Sequence, residues 1–160
     1  LRWRCLGDGD RVRDACVSVD VRTEIVIARP RAEVAAFAAD PDNAPRWYEN
    51  ISSVEWRSAR PLALGSRVAF VAHFLGRRLA YTYEVVELLP GERLVQRTAE
   101  GPFPMATTYE WADVPGGTRM ALRNHGEPAG FAALAAPMLR AAMQRANRKD
   151  LATLKSILEA

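Results

Sequence analysis

From Ile51 to His125 the side chains alternate between apolar and polar along one short run after another. Val54 and Trp56 alternate with Glu55 and Arg57, and Val68, Phe70, Ala72 and Phe74 with Arg67, Ala69, Val71 and His73. Tyr81, Tyr83 and Val85 alternate with Thr82 and Glu84, and Leu94, Gln96 and Thr98 with Arg93, Val95 and Arg97. Met105, Thr107, Tyr109 and Trp111 alternate with Thr108 and Glu110, and Thr118, Met120, Leu122 and Asn124 with Arg119, Arg123 and His125. A period of two marks a strand with one buried face. Turn-forming residues punctuate the runs: Gly76-Arg77, Pro90-Gly91, Gly101-Pro102-Phe103-Pro104 and Pro115-Gly116-Gly117. Connections this short join antiparallel neighbours, so the segment predicts a meander of six strands.

A further strand precedes it. Val19–Ala28 alternates, with Thr23, Ile25 and Ile27 on one face, and ends at Arg29-Pro30 because proline cannot extend a ladder. Pro30 suits the first turn of a helix, predicted over Ala32–Ala39 with Val34, Phe37 and Ala38 on one side. A second short helical turn runs from Asp40-Pro41 through Asp42-Asn43 to Pro45, and Trp47 and Tyr48 then lead to Asn50. From about Ala129 to Glu159 the spacing becomes helical, with Pro137 marking a kink or the true start. Leu139, Met143, Ala146, Asn147, Asp150, Leu154, Ile157 and Leu158 share one face, and Arg140, Gln144, Arg145, Arg148, Lys149 and Lys155 cover much of the other.

A sheet with one apolar face must cover it, and the C-terminal helix is the only element large enough. The expected fold is therefore α+β: a seven-stranded curved antiparallel sheet around a long C-terminal helix, with two short helices between strands 1 and 2. Where the sheet bends away from the helix a concave apolar space remains, the usual form of a ligand site. At 160 residues and 49% hydrophobic the chain suits one domain, read here as residues 19–160. Residues 1–18 show no period and are read as an extension outside the core.

The chain resembles the START-like, Bet v 1-like helix-grip (SRPBCC) superfamily, and within it the bacterial polyketide cyclase/dehydratase-like group. The resemblance is carried by the first strand followed by Pro30 and Val34-Ala35-Ala36-Phe37, and by Asp40-Pro41-Asp42-Asn43 with Pro45 and Trp47. Leu88-Leu89-Pro90-Gly91-Glu92-Arg93, Gly117-Thr118 and Leu151-Ala152-Thr153-Leu154-Lys155 extend it from about Val21 to Glu159. It implies an apolar ligand in the cavity. Relatives of this kind bind lipids, polyketides, hormones or quinones, some catalyse cyclisation or dehydration, and co-chaperone-like ones dock on macromolecules. Fold alone does not choose among these.

The inward faces nominate the site. Phe70, Phe74, Met105, Met120, Leu122 and Met143 supply an apolar wall, and Trp56, Tyr81, Tyr83, Tyr109 and Trp111 an aromatic one. Gln96, Thr98, Thr107 and Asn124 add neutral polar tips, and Asn147 and Asp150 lie on the apolar side of the helix. Trp47 reads as a packing residue. For catalysis, Tyr81, Tyr83 and Tyr109 are the candidates, acting by hydrogen bonding and by holding the substrate in a reactive shape. No obligatory base is legible, because His73 and His125 fall on the outward face and build no Ser-His-Asp set. The cavity is therefore expected to be apolar and aromatic, with charges directed elsewhere.

Other classes are set aside. Net charge is +3, with basic residues clustered only in the first thirteen, so no nucleic-acid partner is expected. Cys5 and Cys16 lack a His/Cys cluster and read as free thiols; no metal and no cofactor is expected. No run approaches the length of a membrane span and the first twenty residues lack an apolar signal-peptide region, so the expected setting is cytoplasmic. The expected partner is a small apolar molecule, and pairing into a homodimer stays open.

Overall fold

The computed structural model describes residues 18–127 and 136–160. It contains strands β1 (Val19–Ile27), β2 (Ile51–Trp56), β3 (Arg67–Phe74), β4 (Arg77–Leu89), β5 (Arg93–Glu100), β6 (Met105–Val114) and β7 (Gly117–Gly126). Helices α1 (Arg31–Ala39) and α2 (Ala44–Trp47) lie between β1 and β2, joined by a 3-10 turn at Pro41–Asn43, and α3 (Ala136–Glu159) closes the chain. The readings of residues 1–17, with Cys5 and Cys16, and of helix over 129–135, lie outside the described residues.

The strands form one antiparallel sheet in the order β1-β7-β6-β5-β4-β3-β2. β2 to β7 are the predicted meander. β1 joins its far edge, with Val19 opposite Gly126 and Ile27 opposite Thr118. The chain then crosses the whole width of the sheet through α1 and α2 to begin β2 at the opposite edge. This crossing closes one end of the space beneath the sheet.

Curvature comes from irregular pairing. β4 slips register against β5 between Thr82 and Tyr83 and again between Val85 and Glu87. Such bulges bend a strand and increase its twist. The second slip also reverses parity, so Val85 is buried and Leu88, three residues on, also packs against the core. The β3–β4 turn falls one residue earlier than the sequence suggests: Phe74 pairs with Arg77, leaving Leu75-Gly76 as the two-residue loop. Both have positive φ, 50° and 73°. That geometry fits the strand twist, and the glycine takes one of its two left-handed positions without strain. At the β6–β7 turn Gly117 has φ 153°, and a Cβ there would lie 2.1 Å from the Ile27 carbonyl oxygen. Only glycine lets this turn close onto the end of β1.

The helix does not sit centrally over the sheet. Leu151, Leu154 and Leu158 of α3 join one core with Ile27, Val34, Trp111, Met120 and Leu122, from β1, α1, β6 and β7. Nearer the start of α3, Leu139 packs with Val19 and Val21 of β1. A third cluster, Ala44, Val68 and Phe70 with Tyr81 and Tyr83 beside it, belongs to α2, β3 and β4. The convex face carries ion pairs, including Arg22 with Glu24 and Glu110, Arg93 with Glu87 and Glu110, and Arg123 with Asp20. Exposed pairs of this kind add little stability individually; they keep that face wetted. No helix among the described residues is long and apolar enough to cross a membrane.

Candidate functional site

Because α3 leans on β1 and β7, a gap remains between its middle and strands β3 to β6. The gap is a cavity of about 160 Å³. A dry cavity of about 150 Å³ in another protein admits a benzene molecule. The space therefore suits one ring without rearrangement.

Most of the side chains nominated from the sequence meet here. Phe70, Phe74, Tyr81, Tyr83, Gln96, Thr98, Met105, Thr107, Tyr109, Asn124, Met143, Asn147 and Asp150 all line the cavity. Four nominated residues lie elsewhere. Trp111, Met120 and Leu122 face inward, as their alternation requires, but they sit under the C-terminal half of α3 and are consumed by packing. Trp56 stands near the β2 edge, where its indole N–H donates to Asp42 Oδ1 at 2.9 Å and the Arg60 guanidinium covers its ring at 4.8 Å. Trp47 is 1% exposed within the main core, as a packing residue would be. His73 and His125 are exposed.

The walls are aromatic on the sheet side. Tyr81 and Tyr83 meet edge to face at 4.9 Å between centroids, and Phe70 stacks on Tyr81 at 5.7 Å. At one end Phe74, Leu79, Phe103 and Met143 pack against the cluster around Leu139. This end is formed by the β3–β4 hairpin, the β5–β6 loop and the first half of α3. Alternation could not nominate Phe103, which sits in the loop, nor Tyr48, which follows α2.

Tyr48 changes the chemistry. Its hydroxyl is 2.7 Å from that of Tyr109. One hydroxyl hydrogen occupies that bond, so the other remains for a third partner. Burial pushes both phenols well above their ordinary range, with the nearby Asp150 charge a smaller cause in the same direction. Tyr81 and Tyr83 are raised as well, again chiefly by burial. All four stay protonated donors at neutral pH.

Asp150 overturns the expectation that charge is directed elsewhere. It lines the cavity and is 3% exposed. Its Oδ1 accepts the Glu49 backbone N–H at 3.0 Å, which ties α3 to the end of α2. Burial lifts its pKa from 3.8 to about 6, against a lowering by that same hydrogen bond. Among the described residues the lining contains no Lys, Arg or His. An anionic headgroup would thus meet a carboxyl and no compensating cation, which is costly at low dielectric.

A second polar line crosses the cavity from sheet to helix. Tyr83 and Thr107 hydroxyls are 3.0 Å apart, and Thr107 Oγ1 donates to Asn124 Oδ1 at 3.1 Å. Asn124 Nδ2 donates in turn to Asn147 Oδ1 at 3.1 Å. Asn147 Nδ2 is buried and has no hydrogen-bond partner among the described residues. Thr98 is differently used: its hydroxyl both donates to and accepts from the backbone of Met105, clamping the β5–β6 connection.

The same architecture occurs in solved structures of low sequence identity. TTHA0849 from Thermus thermophilus superposes with TM-score 0.73 at 23% identity, over 86% of this chain and 94% of that one. A START superfamily protein from Mycobacterium smegmatis gives TM-score 0.74 at 12% identity, over 88% and 97% of the two chains. The Zhui aromatase/cyclase from Streptomyces sp. R1128 gives 0.71 at 19% identity, over 89% and 94%. At these identities the likeness concerns the fold. No protein of curated function matches the sequence. The sequence model of one family, described as polyketide cyclase/dehydrase and lipid transport, matches residues 18–159. With that match over nearly the whole chain and a sheet gripping a C-terminal helix, this chain belongs to the polyketide cyclase/dehydrase and lipid transport family.

Proposed function

We propose that the chain binds a small, neutral, largely apolar molecule in the cavity between the sheet and α3. The observation that carries this reading is a ring-sized space of about 160 Å³ with aromatic walls and, among the described residues, no basic side chain in its lining. Phe70, Tyr81, Tyr83, Met105 and Met143 would supply apolar contact, and Gln96, Tyr109, Asn147 and Asp150 polar contact. The test is titration with a panel of single-ring aromatic and short acyl compounds, followed by the amide and methyl signals of these residues. Saturable shifts confined to the lining support the reading. No binding across the panel, with the lining signals unmoved, overturns it.

A second reading is favoured by one observation: Asp150 is a buried carboxyl with its pKa lifted to about 6, set among the donors Tyr48 and Tyr109. A general base works best when its pKa lies near the working pH. The family description and the aromatase/cyclase structures suggest a cyclisation or dehydration of a carbonyl compound. In that chemistry Asp150 would take a proton from a carbon next to the carbonyl, and a tyrosine hydroxyl would donate to the oxygen on which charge develops. The two readings separate on Asp150→Asn and Tyr109→Phe. An enzyme loses turnover by orders of magnitude in the first variant while still binding, whereas a carrier shows no turnover in any form.

A further inference from the structure

We propose that the ligand carries a hydrogen-bond acceptor, a carbonyl or comparable oxygen, which is held by the side-chain amide of Asn147. This rests on the cavity being the ligand site and adds the polar group by which a ligand is oriented there.

The sense of the polar line follows from counting hydrogens. Thr107 has one hydroxyl hydrogen and directs it to Asn124 Oδ1. In its contact with Tyr83 it must therefore accept, so the phenol donates. Asn124 then donates to Asn147 Oδ1, which fixes the Asn147 amide with its oxygen toward the sheet and its NH₂ turned away from that bond. Each member gives a hydrogen to the next, and the donation ends on Asn147 Nδ2, which is buried and finds no partner among the described residues, in a residue that lines the cavity. An unpaired buried donor is costly, and a chain of donors polarises its last member into a stronger one. The complement is a neutral acceptor. The volume limits the body bearing it to about one ring, and the absence of cations from the lining among the described residues argues against a carboxylate or phosphate.

The probes are acetophenone and ethylbenzene, matched in size, of which only the first has an acceptor. Calorimetric titration of the wild type and Asn147→Leu gives four affinities, and comparing each compound across the two proteins cancels its own cost of leaving water. Acetophenone is expected to weaken about tenfold in the variant while ethylbenzene changes by less than about twofold. In the wild type, bound acetophenone should show a lowered carbonyl stretching frequency relative to alkane solution, and the Asn147 side-chain amide signals should move with it but not with ethylbenzene. These two wild-type readings decide the matter if the variant does not fold. Equal weakening of both compounds, or Asn147 amide signals indifferent to acetophenone, overturns the proposal while the cavity reading stands. Failure of both compounds to bind the wild type overturns the proposal, and silence across the wider panel as well overturns the cavity reading with it.

Discussion

Replacing Asp150 by asparagine is expected to make the protein more stable at pH 8 and slightly less stable at pH 4. The carboxyl is buried and its pKa rises from 3.8 to about 6 on folding. Between those values the native state holds a proton that the unfolded chain has released. Stability attributable to this group is therefore fully present below about pH 4, falls as pH rises through 6, and is flat above. A rise of about two units corresponds to about 3 kcal/mol lost at pH 8 relative to acid. Asparagine has no charge to bury and keeps an oxygen for the Glu49 N–H. Its new NH₂ needs an acceptor, at a cost of about 1 kcal/mol if none is found, so the net gain at pH 8 is about 1–2 kcal/mol. For a chain of this size that is about 3–6 °C in Tm. The assay is denaturant and thermal unfolding of both proteins from pH 4 to 8, read as the difference between them. The difference is essential because Asp20, held low by its hydrogen bond from Arg123, and Glu159, held low by the Ala28 N–H, lose stabilisation in acid with the opposite sign. A variant less stable than wild type at pH 8, or a difference that does not depend on pH, would refute the reasoning.

Other perturbations address separate parts of the structure. Leu154→Ala removes a side chain with no exposed surface from the seam between α3 and the sheet; it should cost about 2–5 kcal/mol, seen as a lower urea midpoint at unchanged slope. Gly117→Ala forces a Cβ to within 2.1 Å of the Ile27 carbonyl oxygen and should cost more than the loss of a buried methyl group, with broadened amide signals along β1 and β7. Tyr48→Phe and Tyr109→Phe, singly and together, should give a coupling energy of about 1 kcal/mol in unfolding; strict additivity would mean that the 2.7 Å contact is not a stabilising hydrogen bond.

Which way each side chain faces was legible from the order of residues alone. Alternation from Val54 to Asn124 depends only on the two-residue pleat, and the stripe from Leu139 to Leu158 only on the helical turn, so both survive folding almost unchanged. Length and proline placement added the order of elements and the two short helices. The one slip in a turn, Leu75-Gly76 for Gly76-Arg77, arose because a leucine takes a left-handed conformation there. How far each inward side chain stands from the layer facing it emerges only when the elements pack together. Trp111 and Tyr83 obey the same alternation, yet one is packed under α3 and the other lines open space, because the helix leans toward β1 and β7. The pairing of Tyr48 with Tyr109 across 61 positions, and the burial that turns Asp150 from a stripe-edge carboxyl into a weak acid inside the cavity, likewise depend on that offset. Local periodicity encodes direction, and distance between layers is set by the packing of the whole.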